Sequence, residues 1–318
     1  MPIANYLQET SPSDRPISSD AVISVLSNAL YPDGRRIDKV EVIRTQSMVA
    51  DGAAIFLLDH DHVLFLSPAA HPDAAAIQAQ ATQTMAGLGP VMAERILPVT
   101  ATGTLADRSF LILPRCEPLA GGRLRRLIQT PKVAAAILGW LRQLVGATVA
   151  DGPADDRTET DEFQRSLRAL VDMHDLPESL RADAERLDAD ITAGTLKPRH
   201  VPMHGDLWRN NIMVRPGGGE LVVIDWAGGT AAGYAIYDLI RFHQSFNLSS
   251  DRLRRELLWY QEALGGGASG LAMIRVHLLG ALGHYANRLG EFPRDRFVAL
   301  ARDCYGAVDS ALAGLARG

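Results

Sequence analysis

Near Pro114 the chain switches abruptly from strand-like to helix-like periodicity, and this limits the fold more than any other feature. Before it, KVEVIRT, AAIFLLD, HVLFLS, ERILPVT and SFLILP are short apolar runs bounded by turn residues, which predicts five strands. AAIFLLD and HVLFLS are separated only by turn residues, so they read as an antiparallel hairpin. One helix is predicted ahead of the strands, AVISVLSNAL, with Ser18, Ser19 and Asp20 as N-cap candidates and Pro32, Asp33 and Gly34 as its stop. A second, PDAAAIQAQATQTMAGLG, is inserted after the third strand. After Pro114 the connector RCEPLAGG leads into helical patterns: GRLRRLIQ, then PKVAAAILGWLRQLVGATVA, EFQRSLRALVDMH and PESLRADAERLDADITAG. From Val201 to Asp225 the chain is extended again, with a turn at RPGGGE. From Ala235 it is helical to its end, with a break at GGGASG.

This order predicts an α+β architecture of two lobes. Residues 1–35 form an N-terminal extension and helix, of which 1–17, polar and with three prolines, are expected to be loosely ordered. Residues 36–114 form a small antiparallel-sheet lobe, 115–121 a hinge, and 122–318 a larger helical lobe. The chemistry is expected where the two lobes meet.

Composition narrows the class. With 318 residues, 47% of them hydrophobic and 22% charged, the chain buries a sizeable core. A net charge of −5 speaks against nucleic acid as the main partner. Cys116 and Cys304 are far apart and lack ligand spacing, which predicts a reducing compartment without disulfide or structural metal. The first residues hold no apolar signal core, and no apolar run approaches the ~18 residues of a membrane span. A soluble, cytoplasmic protein is expected.

HGDLWRNNIMV and ELVVIDWAGG carry the chemistry. Phosphoryl transfer needs a carboxylate to accept the proton of the attacking hydroxyl and oxygen ligands for magnesium. Asp206 and Asn211 share one loop directly before the strand IMV, and Asp225 ends the strand ELVVID. Pairing of those strands across the glycine turn brings Asn211 and Asp225 to one end of a hairpin, where both can reach one metal.

In these residues, together with Tyr237-Asp238-Leu239, the chain resembles the aminoglycoside phosphotransferase and choline kinase-like group of the protein-kinase-like fold. The resemblance implies a kinase that moves the γ-phosphoryl group of ATP, or of another nucleotide triphosphate, to a hydroxyl of a sugar, amino alcohol or related metabolite. It implies Asp206 as catalytic base, Asn211 and Asp225 as Mg2+ ligands, His204 as packing for the loop, and Asp238 as the tie for its backbone. Nucleotide and a small hydroxylated substrate are the expected partners.

The N-terminal half departs from that pattern. The fold places a lysine on its third strand, paired with a glutamate on the next helix. Here no Lys or Arg occurs from Thr45 to Glu94. Ser67 or a hydrophobic residue takes the lysine's place, IQAQATQTMAGL holds no glutamate, and the loop SMVADG has one glycine. Arg44 on the first strand and Arg115 in the connector are the cofactor-binding candidates, with Arg95 a further cation. Arg209, inside the catalytic loop, is a catalytic candidate; its alternative is a solvated or helix-contacting role. The alternative for the whole chain is a pseudokinase-like binding module. Finally, His277, His284 and Arg288 fall on one helical face, which could bind a phosphorylated or carboxylated acceptor, or else be packed or solvated.

Overall fold

The computed structural model describes residues 3–10, 18–45, 52–119, 121–150, 157–217, 219–288 and 293–313. They fold as two compact units: residues 1–119 with 212–228, and residues 120–211 with 229–318. Most of the SMVADG loop, the acidic stretch 151–156, Ala120 of the connector and Gly218 of the glycine turn lie outside the described residues.

The first unit holds helices α1 (Ile3–Thr10), α2 (Ser19–Leu30), α3 (Ala74–Ala86) and the single turn α4 (Pro90–Ala93). Its main sheet comprises β1 (Val40–Arg44), β2 (Ala54–Leu58), β3 (His62–Leu66), β4 (Ala101–Leu105) and β5 (Arg108–Pro114). The strand order is β1-β2-β3-β5-β4, antiparallel throughout. Alternation along the strands gives this sheet two buried faces. Phe56, Leu64, Leu66, Phe110 and Ile112 pack with Ile3, Tyr6, Leu7, Val22 and Leu26 of α1 and α2. On the other face Leu111 and Leu113 pack with Ala75 and Ala79 of α3.

Three expectations change here. The first residues are not loose as far as Thr10: Ile3, Tyr6 and Leu7 are buried on one face of α1. Their i, i+3, i+4 spacing is that of an amphipathic helix, and eight residues hold as a helix only because that face is packed. ERILPVT is not a strand. Pro98 cannot donate to a ladder, and the segment contributes only an isolated parallel bridge, Ile96 to Val223. The edge strand is instead ATGTL, β4, whose low apolar content hid it. The first helix after the connector runs unbroken as α5 (Arg123–Ala150) with Pro131 inside it, where the ring removes one backbone hydrogen bond.

Beyond Pro114 lie β6 (Glu117–Pro118), β7 (Val201–Met203), β8 (Ile212–Val214), β9 (Leu221–Val223) and β10 (Thr230–Gly233). β6, β8 and β9 form an antiparallel sheet in the first unit. In the second unit β10 pairs with β7 among helices α5, α6 (Arg157–Val171), α7 (Glu178–Thr192), α8 (Tyr237–Ser245), α9 (Ser250–Ala263), α10 (Gly267–Ala286) and α11 (Arg294–Ala313). α10 is the central helix of this unit, buried almost continuously from Ile274 to Gly283. Gly283 lets α6 approach: a Cβ there would stand 1.8 Å from the Ser166 carbonyl oxygen.

Candidate active site

In the second unit the HGD loop leaves β7 at Met203 and closes in a 3-10 turn, Arg209–Asn211. Its backbone is held from α8 and α10. Asp238, 3% exposed, accepts the His204 N–H at 2.6 Å and the Gly205 N–H at 3.0 Å. Gly205 takes φ +83°, a conformation that suits glycine, and its carbonyl accepts the Tyr285 hydroxyl of α10 at 2.7 Å. Burial pushes the Asp238 carboxyl up to about 7; the two N–H groups pull the other way, the Asp206 charge adds to the push, and Arg241 opposes it. His204, 1% exposed, turns Nδ1 toward the Asp206 N–H at 3.1 Å.

The Asp206 carboxylate is thereby fixed at its root, while its side chain is 51% exposed. Asn211 Nδ2 donates to the Asp206 carbonyl at 3.0 Å and to Oδ2 at 3.2 Å. Both interactions use the amide nitrogen, so the Asn211 oxygen is left as an acceptor. Trp208 is 39% exposed rather than packed away.

In the β8–β9 hairpin Ile212 pairs with Val223. The chain therefore enters β8 from Asn211 at the end where it leaves β9 toward Asp225. Asp225 is exposed and has φ +67°; left-handed backbone away from glycine gathers at functional sites. Gly217 and Gly219 of the connecting turn also have positive φ. Carboxylate and amide oxygens are each hard donors of the kind magnesium takes. Among the described residues no group of three His, Cys, Asp or Glu side chains is placed to hold a metal.

The nominated cations are held by neighbouring groups. In the first unit Arg44 Nε and Nη2 donate to the Ala53 carbonyl at 3.3 and 3.2 Å. Arg115 Nη1 reaches the His60 carbonyl at 3.2 Å. Arg95 bonds the Leu221 carbonyl at 3.2 Å and Glu94 at 2.8 Å. In the second unit Arg209 donates its N–H to Ser245 Oγ at 3.1 Å and lays its guanidinium over Phe246, 5.0 Å from the ring centroid.

Ser67, at the end of β3, is buried and structural. The Ala75 N–H donates to Ser67 Oγ at 2.8 Å, and Ser67 Oγ lies 2.7 Å from Ser109 Oγ. Ser109 Oγ in turn donates to the Pro72 carbonyl at 2.8 Å and accepts the Ala76 N–H at 3.1 Å. Every group is satisfied when Ser67 donates to Ser109. Two hydroxyls thus cap α3 and tie it to β3 and β5, without the charges of a Lys–Glu pair.

The face of α10 splits. His277 is a core residue, 1% exposed, its Nδ1 accepting the Ala235 N–H at 3.3 Å. Burial pushes its imidazole down to about 3. His284 is partly buried, 6.0 Å from the Tyr234 ring and 5.7 Å from the Tyr285 ring, and burial lowers its pKa as well. Arg288 is exposed. Three residues at the loop went unnoticed in the sequence: Tyr285, Ser245 and Arg241, whose Nη2 stands 3.8 Å from Asp206 Oδ1. Arg241 had a readable signal, since it lies three residues after Asp238 and hence on the same helical face.

The comparisons agree with this architecture. The model of the phosphotransferase enzyme family, APH, matches residues 52–273. No curated protein matches the chain. An aminoglycoside 2'-phosphotransferase-IIIa mutant solved with GDP is 16% identical, with 93% of this chain and 97% of that one covered and a TM-score of 0.51. A thermostable mutant of aminoglycoside phosphotransferase APH(4)-Ia, solved with ADP and hygromycin B, is 15% identical, with 91% and 98% covered and a TM-score of 0.53. At these identities the two structures establish the protein-kinase-like fold, and the family match over most of the sequence places the chain in the phosphotransferase enzyme family.

Proposed function

We propose that the protein is a small-molecule kinase. It transfers the γ-phosphoryl group of ATP, or of another nucleotide triphosphate, to a hydroxyl of a sugar, amino alcohol or related metabolite. The observation that carries this reading is the seating of Asp206. Its backbone is gripped through His204 and Gly205 by one buried carboxylate, and its side chain by Asn211. A surface turn has no need of such support.

In this proposal Asp206 orients the acceptor hydroxyl and takes its proton as the oxygen attacks. Asn211 and Asp225 would hold Mg2+, which would supply positive charge to neutralise the phosphates. Arg44 and Arg115 belong to the donor side, each guanidinium having N–H groups beyond the ones bound to carbonyls. Arg209 is the loop cation nearest in sequence to the base. The family's nucleotide complexes, such as those with GDP and ADP, support a nucleotide co-substrate here. Among the described residues no helix is long and apolar enough to cross a membrane, and free Cys116 and Cys304 suit a reducing cytoplasm.

A thermal-shift series with ATP and other nucleotide triphosphates, with and without magnesium, tests the reading. A magnesium-dependent rise in Tm that disappears in Asp225→Ala supports it. Absence of any shift favours a pseudokinase-like binding module, the reading to which a β3 without lysine and an α3 without glutamate would belong. Labelled ATP with pooled sugars and amino alcohols then identifies the acceptor.

A further inference from the structure

Arg241 is out of balance with its surroundings. Its side chain is 25% exposed and carries five N–H donors, yet it makes no side-chain hydrogen bond among the described residues. Its Nε is fully buried and has no partner there. The ion pair it makes among the described residues, to Asp206 Oδ1, stands at 3.8 Å, within ion-pair reach and beyond hydrogen-bonding distance, and Asp238 one turn earlier on α8 also feels its charge. Arginines in such positions ordinarily satisfy several donors at once, and leaving them unmet is costly. α8 therefore addresses the HGD loop twice from one face: Asp238 seats its backbone, and Arg241 holds an uncommitted positive charge beside its carboxylate.

We propose, building on the kinase reading, that Arg241 binds the phosphoryl group under transfer. An acceptor hydroxyl bonded to Asp206 lies within about 3 Å of the carboxylate, and the phosphorus about 3–3.5 Å beyond that oxygen. A guanidinium already 3.8 Å from Oδ1 reaches an equatorial phosphoryl oxygen by a small side-chain rotation. The balance of the step favours the same move. The bond from the terminal phosphorus to the nucleoside diphosphate oxygen breaks, the bond to the acceptor oxygen forms, and the acceptor's proton passes to Asp206. The negative charge spread over the equatorial oxygens of that group is what the guanidinium meets, before the transfer as well as during it. This puts a cation at the reaction centre from the helical lobe, in a chain whose β3 carries none.

The test compares full-length wild type, Arg241→Met and Arg241→Lys for binding of ADP and of a non-hydrolysable ATP analogue, and for turnover. Arg241→Met should weaken the triphosphate analogue roughly 10- to 100-fold, as expected for a lost charge-assisted contact. ADP, which lacks that phosphoryl group, should bind as it does to wild type. Turnover should fall, and Arg241→Lys should recover part of both losses. Equal effects on ADP and the analogue, or none on either, overturn the assignment while wild-type turnover keeps the kinase reading intact. If wild type binds neither nucleotide, both the kinase reading and the assignment fall.

Discussion

Asp238 Oδ2 accepts the His204 N–H at 2.6 Å, so a carboxylate on α8 fixes the first residue of the HGD loop. The same carboxylate takes the Gly205 N–H through Oδ1. In Asp238→Asn one acceptor becomes an N–H2 group facing an N–H donor. With burial preventing water from stepping in, the change should cost about 1–3 kcal/mol of stability. It should also displace Asp206, so turnover falls more than the unfolding midpoint implies. Denaturant unfolding and turnover, measured on the same preparation, check both. A variant as stable and active as wild type would mean that the loop does not depend on this tie.

Ser67 and Ser109 make a second, independent prediction. Ser67→Ala removes the acceptor of the Ala75 N–H and the partner of Ser109 at the start of α3. Stability should drop by about 1–3 kcal/mol, with hydrogen exchange quickened at the first turn of α3. Unchanged exchange at Ala75 and Ala76 would show that the hydroxyl relay does not hold the helix.

His277 sets a pH dependence. Its folded-state pKa is lowered to about 3 from 6.5, so below 6.5 the unfolded chain binds a proton that the native state refuses. Stability from this group is intact above that pH and is lost as pH falls toward 3. Between pH 7.5 and 5.0 the loss is about 2 kcal/mol. Asp238, whose carboxyl is pushed up to about 7, works in the opposite sense over a similar range. The informative comparison is therefore wild type against His277→Gln, which shares Asp238. Urea unfolding at both pH values should show wild type losing about 2 kcal/mol more than the variant. Equal losses would mean that His277 titrates normally.

What could be read from the sequence follows the range over which each signal acts. Four of the sheet's five strands and the helix after the third showed as local periodicity, and the HGD loop showed as residue identity. α1 was hidden because prolines around it outweighed three apolar residues at helical spacing. β4 was hidden because ATGTL depends on pairing with β5 rather than on its own apolar pattern. The grouping of residues 212–228 with the first unit rests on β6–β8 pairing, the Ile96–Val223 bridge and packing of the Trp226–Gly228 turn on α3, all contacts between segments far apart in the chain. At the site, Asp238 could be named from Tyr237-Asp238-Leu239. Tyr285 could not, because only the packing of α10 brings its hydroxyl to Gly205.

The claim at the centre is that Asp206 accepts the acceptor's proton, and phosphoryl transfer from labelled ATP by wild type and Asp206→Asn tests it most directly. Measured with magnesium and an acceptor found by the metabolite screen, the variant should keep its fold and nucleotide affinity while its turnover falls by about 10²- to 10⁴-fold. An Asp206→Asn protein that turns over at the wild-type rate would contradict the account.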